Sequence, residues 1–369
     1  MNRGLSTVEQ LQAFRHRIHD KAVLAGFDGF VDKIVVPVAL RHGPGENFEP
    51  IETMTEFARR IQGAAGKSTN IELHQRMEKL GGNGPLMGGA LLAYGARLKY
   101  LGALGANGPV AALADFAARS DAITLAEPGF TTAVEFSDGK LMLNMISDFG
   151  QIDYARLTYR VGGEPALREL AAHADLIALV NWTMLPHMTE IFRAFVGKIL
   201  PLLPSNPERL FFFDLADPEK RTDVELLEAL QVIARFEAFG HVTLGLNLKE
   251  AERVGRVLGV ASGGEDEPGL RKHAASIREK LSLSIVVVHP RKSAACATTA
   301  GTFWVPGPYC AAPLVTTGAG DHFNAGFALG QLLGMTPNAC LATGVATSGL
   351  YVRSGKSPTL DELEKSLSG

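Results

Sequence analysis

Six short runs of nearly unbroken apolarity limit what this chain can fold into more than any other feature. They are Lys21–Phe27 (KAVLAGF), Arg97–Leu104 (RLKYLGAL), Asp175–Asn181 (DLIALVN), Arg209–Leu215 (RLFFFDL), His241–Leu246 (HVTLGL) and Ser284–His289 (SIVVVH). Continuous rather than alternating apolarity marks strands covered on both faces, as in a parallel sheet between helices. Amphipathic or Ala-rich stretches separate them: Pro85–Gly95, Val110–Arg119, Glu164–His173, Pro186–Leu200, Leu226–Ala238 and Leu270–Leu281. Strand and helix in alternation predict an α/β fold with a doubly wound, mostly parallel sheet flanked by helices. Residues 1–369 are read as one such domain.

Two regions break the rhythm. Thr131–Ser147 reads as two strands joined at Asp138-Gly139, a hairpin turn signal. Val31–Leu40 is strand-like again and leads into the polar stretch RHGPGENFEP. Together, about residues 31–52 and 130–148, they are expected to form a small β lid beside the main sheet; ordinary edge hairpins are the alternative. Thr53–Gln62 reads as a helix.

Composition narrows the function classes. Hydrophobic residues make up 46 % and charged residues 20 %, enough for a core without staples. A net charge of −3 gives no sign of a nucleic-acid partner. The three cysteines, Cys296, Cys310 and Cys340, form no CxxC pair, which argues against a disulfide scaffold or zinc site. The polar start and the lack of an apolar run of ~18 residues predict no leader, no membrane span and a cytoplasmic location.

The stretch that carries chemistry is Thr316–Phe323, TTGAGDHF. Two glycines around Ala319 let the backbone bend tightly into a helix start with exposed N–H groups, a ready anion site. Asp321 lies in the first turn, where its carboxylate can share space with a bound phosphate. Phosphoryl transfer asks mainly for positioning and charge stabilisation, so an anion cradle beside a carboxylate base is a sufficient pair. A plain strand-to-helix turn, with Asp321 only stabilising the helix, is the simpler alternative.

Its surroundings decide between them. TTGAGDHF resembles the D-T-x-G-A-G-D-x-F motif of the ribokinase-like (PfkB) family of carbohydrate and nucleoside kinases. Gly81–Ala96 (GGNGPLMGGALLAYGA) resembles that family's glycine-pair entry to a substrate-side helix. Asn247-Leu248-Lys249-Glu250 matches its N-x-x-E motif, and Ala25–Lys33 (AGFDGFVDK) its first strand with a terminal Asp. Tyr351–Leu360 resembles the close of its last core helix. The matches fall in family order from residue 21 to 365.

The resemblance implies a ribokinase-like fold and an ATP-dependent phosphotransferase acting on a hydroxyl of a sugar or sugar-like molecule. Asp321 would be the general base, with Gly318, Ala319 and Gly320 as the anion hole. Asp32, or alternatively Asp28, would grip substrate hydroxyls beside Gly82, Asn83 and Gly84. Nucleotide contacts would come from Asn247, His289, Arg291, Thr317, Gly318 and Gly320. Glu250 would hold Mg2+ through water, and Asp214 and Arg221 are further candidates. A homodimer is the expected assembly.

The chain also departs from the family pattern. Val315 replaces the Asp that opens the nucleotide motif and helps build a monovalent-cation site, which puts potassium activation in doubt. Leu86 stands where a substrate-side Asn is usual, and HPRKSAA replaces the glycines that admit adenine. These changes keep two rivals open: a non-catalytic ligand sensor and an ADP-dependent sugar kinase. Gly66-Lys67-Ser68 is no P-loop, because Ile61 occupies its required first glycine position.

Overall fold

The computed structural model describes residues 5–368. In chain order the strands are β1 (Ala22–Phe27), β2 (Phe30–Arg41), β3 (Phe48–Pro50), β4 (Leu73–Gly81) and β5 (Arg97–Gly102). They continue as β6 (Ile123–Thr124), β7 (Gly129–Phe136), β8 (Gly139–Met145), β9 (Leu176–Leu179) and β10 (Leu210–Asp214). The last four are β11 (His241–Leu246), β12 (Ile285–Val288), β13 (Ser293–Thr298) and β14 (Gly301–Pro306). Nine of them form one sheet in the order β14-β13-β12-β11-β10-β9-β1-β5-β6. It is parallel from β6 through β12, and β13 and β14 add antiparallel to its edge.

Both faces of this sheet are covered, as the apolar runs predict. Along β10, Phe211 and Phe213 enter one core while Phe212 enters the other. The same alternation splits Val286 and Val288 from Val287, and Ile177 and Leu179 from Leu176 and Ala178. A strand that must bury both sets of side chains cannot alternate with polar residues, which is why its sequence reads as one apolar block. Glu164–His173 and His241–Leu246 run as expected to the residue. Local chemistry starts several helices: Thr222 with Glu225, and Asn247 with Glu250, form reciprocal capping boxes.

The second sheet is built around β2, which pairs with β4 along one edge and runs parallel to β7; β8 closes beyond β7 and β3 pairs with the far end of β2. The helix Met54–Gly63, capped by Thr53, lies within this excursion. β4 (LHQRMEKLG) was not expected, because its residues are mostly exposed and polar. β13 and β14 also extend the main sheet beyond the sequence reading.

From β1 the main sheet grows to β5 and β6 on one side, and the chain then crosses back to β9 on the other side of β1 and builds outward from there. Such a switch point opens a crevice at the carboxyl ends of the strands.

Candidate active site

The carboxyl ends of β1, β10 and β11 and the start of the helix Ala319–Leu332 converge on that crevice. Asp28, the first residue after β1, is fully buried. Its carboxylate accepts the backbone N–H groups of Asn83 and Gly84, both at 2.8 Å, and the Asn181 side-chain amide at 2.7 Å. The Tyr100 hydroxyl donates to the Asp28 carbonyl at 2.7 Å and lies 3.3 Å from the carboxylate. Asp28 therefore anchors the N-terminus of the helix Asn83–Ala93. Packing there is tight: a Cβ on Gly84 would fall 2.2 Å from the Tyr100 hydroxyl.

Asp32 sits four residues on, in β2, where cross-strand register places Lys79 and Thr131 beside it. Burial raises its pKa, while a hydrogen bond from Thr131 and the charges of Lys79 and Lys140 oppose the rise. Gly81 leaves room for this carboxylate, since a Cβ there would meet Asp32 at 2.4 Å.

Across the crevice, Gly318 adopts φ +94 and caps the helix Ala319–Leu332. The Ala319 N–H makes only a long contact, 3.3 Å, to the Thr316 carbonyl. First-turn amides of this kind have no partner inside their own helix. The loop is braced from behind. His322 Nδ1 donates to the Gly318 carbonyl at 2.7 Å, its Nε2 accepts from Ser357 at 2.9 Å, and Tyr351 donates to the Thr317 carbonyl at 2.9 Å. The His322 and Tyr351 rings stack at 3.5 Å. Burial pushes the His322 imidazole down to about 4 and keeps it neutral.

Asp321 is buried within this first turn, and the Asn83 side-chain amide donates to its carboxylate at 2.8 Å. Burial, then the charges of Asp214 and Asp28, push its pKa well above the carboxylate range; the Asn83 hydrogen bond opposes them. Asp214, at the end of β10, accepts from Asn324 at 2.7 Å and from the Ala216 N–H at 2.9 Å. Glu250 accepts the Asp217 N–H at 3.0 Å and the Asn247 N–H at 2.8 Å. Burial, followed by the charge of Asp214, raises its pKa. Among the described residues, no three His, Cys, Asp or Glu side chains stand close enough to ligate a metal directly.

The comparisons with known proteins cover nearly the whole chain. The model of the prokaryotic ketohexokinase family matches residues 5–369. The chain belongs to the prokaryotic ketohexokinase family. A ketohexokinase from Haloferax volcanii is 31% identical over 360 residues, 97% of this chain and 94% of that protein. Two solved structures share the fold. A carbohydrate kinase from Agrobacterium tumefaciens has 19% identity and a TM-score of 0.64 over 94% of this chain and 97% of its own. Ribokinase from Arabidopsis thaliana, complexed with ribose and ATP, has 18% identity and a TM-score of 0.64 over 95% and 99%. This member of the ketohexokinase family is a carbohydrate kinase, an ATP-dependent phosphotransferase that acts on a sugar hydroxyl. No helix among its described residues is long and apolar enough to cross a membrane.

The residues singled out from sequence take different places in this kinase. Asp321, Asn83, Gly82, Gly84, Asp28 and Gly318–Gly320 meet around one point. Glu250 joins them through its charge relation with Asp214 and Asp321, and Asn247 is tied to Glu250 by reciprocal hydrogen bonds. His289 stacks on Phe323 at 4.5 Å, near Gly320, with its Nε2 buried and unpartnered among the described residues. Arg291 stands apart: it is exposed on the turn between β12 and β13, and no hydrogen bond or ion pair ties it to Gly318–Gly320. Arg221 is used internally, donating to the Leu185 carbonyl at 2.9 Å and to Glu225, with its guanidinium over Trp182.

Sequence reasoning missed Asn181, Asn324, Lys140, His322 and Tyr351. His322 lies inside the Thr316–Phe323 motif, Asn324 follows it directly and Tyr351 opens the stretch Tyr351–Leu360, whereas Asn181 and Lys140 carry no local polar signature.

Proposed function

We propose that this carbohydrate kinase phosphorylates a ketohexose, with Asp321 as the general base. The observation that carries the reading is the Asn83–Asp321 hydrogen bond, which sets the base against the substrate-side turn and beside the anion hole. Asp32 is the ligand for sugar hydroxyls. The Asp28 carboxylate is already engaged by protein donors, so its part is to position Asn83 and Gly84.

Asp321 takes the proton of the attacking hydroxyl, and its high proton affinity suits it to that step. First-turn amides from Gly318 to Gly320 stabilise charge on the transferred group. Asn247, His289 and Thr317 border the space for the nucleotide. The charge of Asp214 raises the proton affinity of both Glu250 and Asp321, Glu250 adds to that of Asp321, and Asp28 raises that of Asp214; such crowded buried charge favours a cation. Mg2+ would fit there, where Glu250 and Asp214 would hold it through water, and it would supply positive charge to the phosphates. The second sheet acts as a lid that keeps water from the phosphoryl group.

A homodimer is the assembly we propose. Strand register puts Leu143 and Met145 on the face of the second sheet opposite Asp32, and they are 50% and 63% exposed. Light scattering of the protein and of Leu143→Lys/Met145→Lys tests it; a wild-type monomer would contradict it.

The activity is tested by incubating the enzyme with ATP or ADP, magnesium and a sugar panel, then reading products by mass spectrometry. A ketohexose monophosphate formed from ATP supports the reading. An aldose or nucleoside preferred over every ketohexose contradicts it.

A further inference from the structure

Lys140 lies in β8 directly after the hairpin turn, and its side chain crosses from the second sheet to the anion-hole loop. Its ammonium donates to the Thr316 hydroxyl at 3.1 Å and to that of Thr317. Those two residues immediately precede Gly318. The turn that carries Lys140 is itself pinned: Asp138 accepts the Met54 N–H at 2.9 Å, and the Ser137 hydroxyl donates to the Glu52 carbonyl at 2.8 Å. The reach of Lys140 is thus fixed by the sheet rather than by a loose tip.

The charges facing it are known. Glu135 pairs with it across β7, Asp32 lies on the same face, and Lys79 adds a second positive charge from β4. Among the described residues no carboxylate comes within ion-pair distance of the Lys140 ammonium. A half-buried ammonium that hydrogen-bonds only neutral hydroxyls, with Glu135 and Asp32 acting on it at longer range, has lost hydration without gaining a contact ion pair, an arrangement that leaves it open to an anion. The site places it between Asp32 on the sugar side and Gly318–Gly320 on the phosphate side. That interval is where a phosphoryl group passes in transfer.

We propose that Lys140 is a catalytic residue, carried by the second sheet, whose ammonium binds the non-bridging oxygens of the phosphoryl group in transit; this rests on the site reading given above. In the step, the sugar hydroxyl oxygen forms the new P–O bond and its proton goes to Asp321. The bond from phosphorus to the bridging oxygen of ATP breaks, and ADP leaves with that electron pair. Lys140 donates hydrogen bonds throughout and transfers no proton. Because the ammonium belongs to the second sheet, the charge that steadies the transition state is in place only when that sheet covers the crevice. Closure and chemistry are then linked, and phosphoryl transfer to stray water is disfavoured.

The test compares Lys140→Met and Lys140→Arg with wild type in two measurements. The first is steady-state kinetics; the second is binding of aluminium fluoride, a mimic of the transferred group, to the enzyme with magnesium, ADP and sugar. Loss of one such donor lowers kcat by about 10²–10³. Lys140→Met is expected to show that loss, a sugar KM within about twofold, and aluminium fluoride binding weakened by at least tenfold; these follow from contact with the phosphoryl group alone. Lys140→Arg should recover both in part. Unchanged kcat in Lys140→Met overturns the proposal, and so does lost kcat with unchanged aluminium fluoride affinity, which would make Lys140 a brace for Thr316 and Thr317. If Lys140→Met unfolds, Lys140→Gln takes its place. Failure of the wild type to phosphorylate any sugar would fall on the proposed function instead, and aluminium fluoride binding with ADP would still read the role of Lys140.

Discussion

The side-chain amide of Asn83 donates to the Asp321 carboxylate across 2.8 Å, joining residues 238 positions apart in the chain. One belongs to the turn that Asp28 anchors; the other lies in the first turn of the helix Ala319–Leu332. The bond favours the charged form of a carboxylate that its surroundings push toward the neutral one.

Asn83→Ala should therefore leave the fold intact and weaken catalysis. A hydrogen bond to a charged group contributes roughly 1.5–3 kcal/mol, or about ten- to hundredfold in kcat. Without it the Asp321 pKa rises further, so the acidic limb of the kcat–pH profile should move to higher pH. A pH–rate series on wild type and variant checks both effects.

Asp28 and Asp32 should separate cleanly. Asp28→Ala strips the acceptor from two buried donors and one partly buried donor, at about 1–3 kcal/mol for each buried one, so it should lower the melting temperature sharply. Asp32→Asn should instead raise the sugar KM by about ten- to hundredfold with little change in melting, because no comparable set of buried donors depends on it. Thermal melts and KM values on the two variants decide the assignment.

Gly318→Ala should disable the anion hole. The backbone there has φ +94, and a Cβ would lie 2.9 Å from the Tyr351 hydroxyl. The left-handed conformation alone costs a non-glycine residue about 1–2 kcal/mol, and relief must come from rotating the loop that presents the amides. Nucleotide affinity and kcat should fall together, as read by calorimetry and kinetics.

Stability should depend on pH through the buried carboxylates. Burial pushes Glu250 up to about 8 and Asp214 up to about 6. The native state then holds protons that the unfolded chain has already released. Their stabilising contribution is present below the ordinary carboxylate range and is lost as pH rises through about 6 and then about 8. Melting of the ligand-free protein should decline over that window, and magnesium should reduce the decline. A melt that is flat or rises with pH contradicts the charge arrangement.

The parts of this molecule legible in sequence are those where one physical demand fixes residue type. Strands such as β10 and β12 must satisfy two cores at once, and FFF and VVV announce it. Gly318-Ala319-Gly320-Asp321 is legible because a tight helix entry with a carboxylate needs those residues together. β4 is illegible because its solvated faces make no apolar demand. Lys140 is hidden for a different reason. Its meaning comes from a contact with Thr317, 177 residues away, which no local pattern encodes. Spacing favours Asp32 over Asp28 as the substrate ligand, but the donors that engage the Asp28 carboxylate are visible only in three dimensions.

Single-turnover phosphoryl transfer in Asp321→Asn tests most directly whether Asp321 removes the proton from the acceptor hydroxyl. With ATP, magnesium and a saturating ketohexose, the variant should transfer about 10²–10⁴ times more slowly than wild type while binding sugar and nucleotide with near-native affinity. Transfer at a near-native rate would contradict the account.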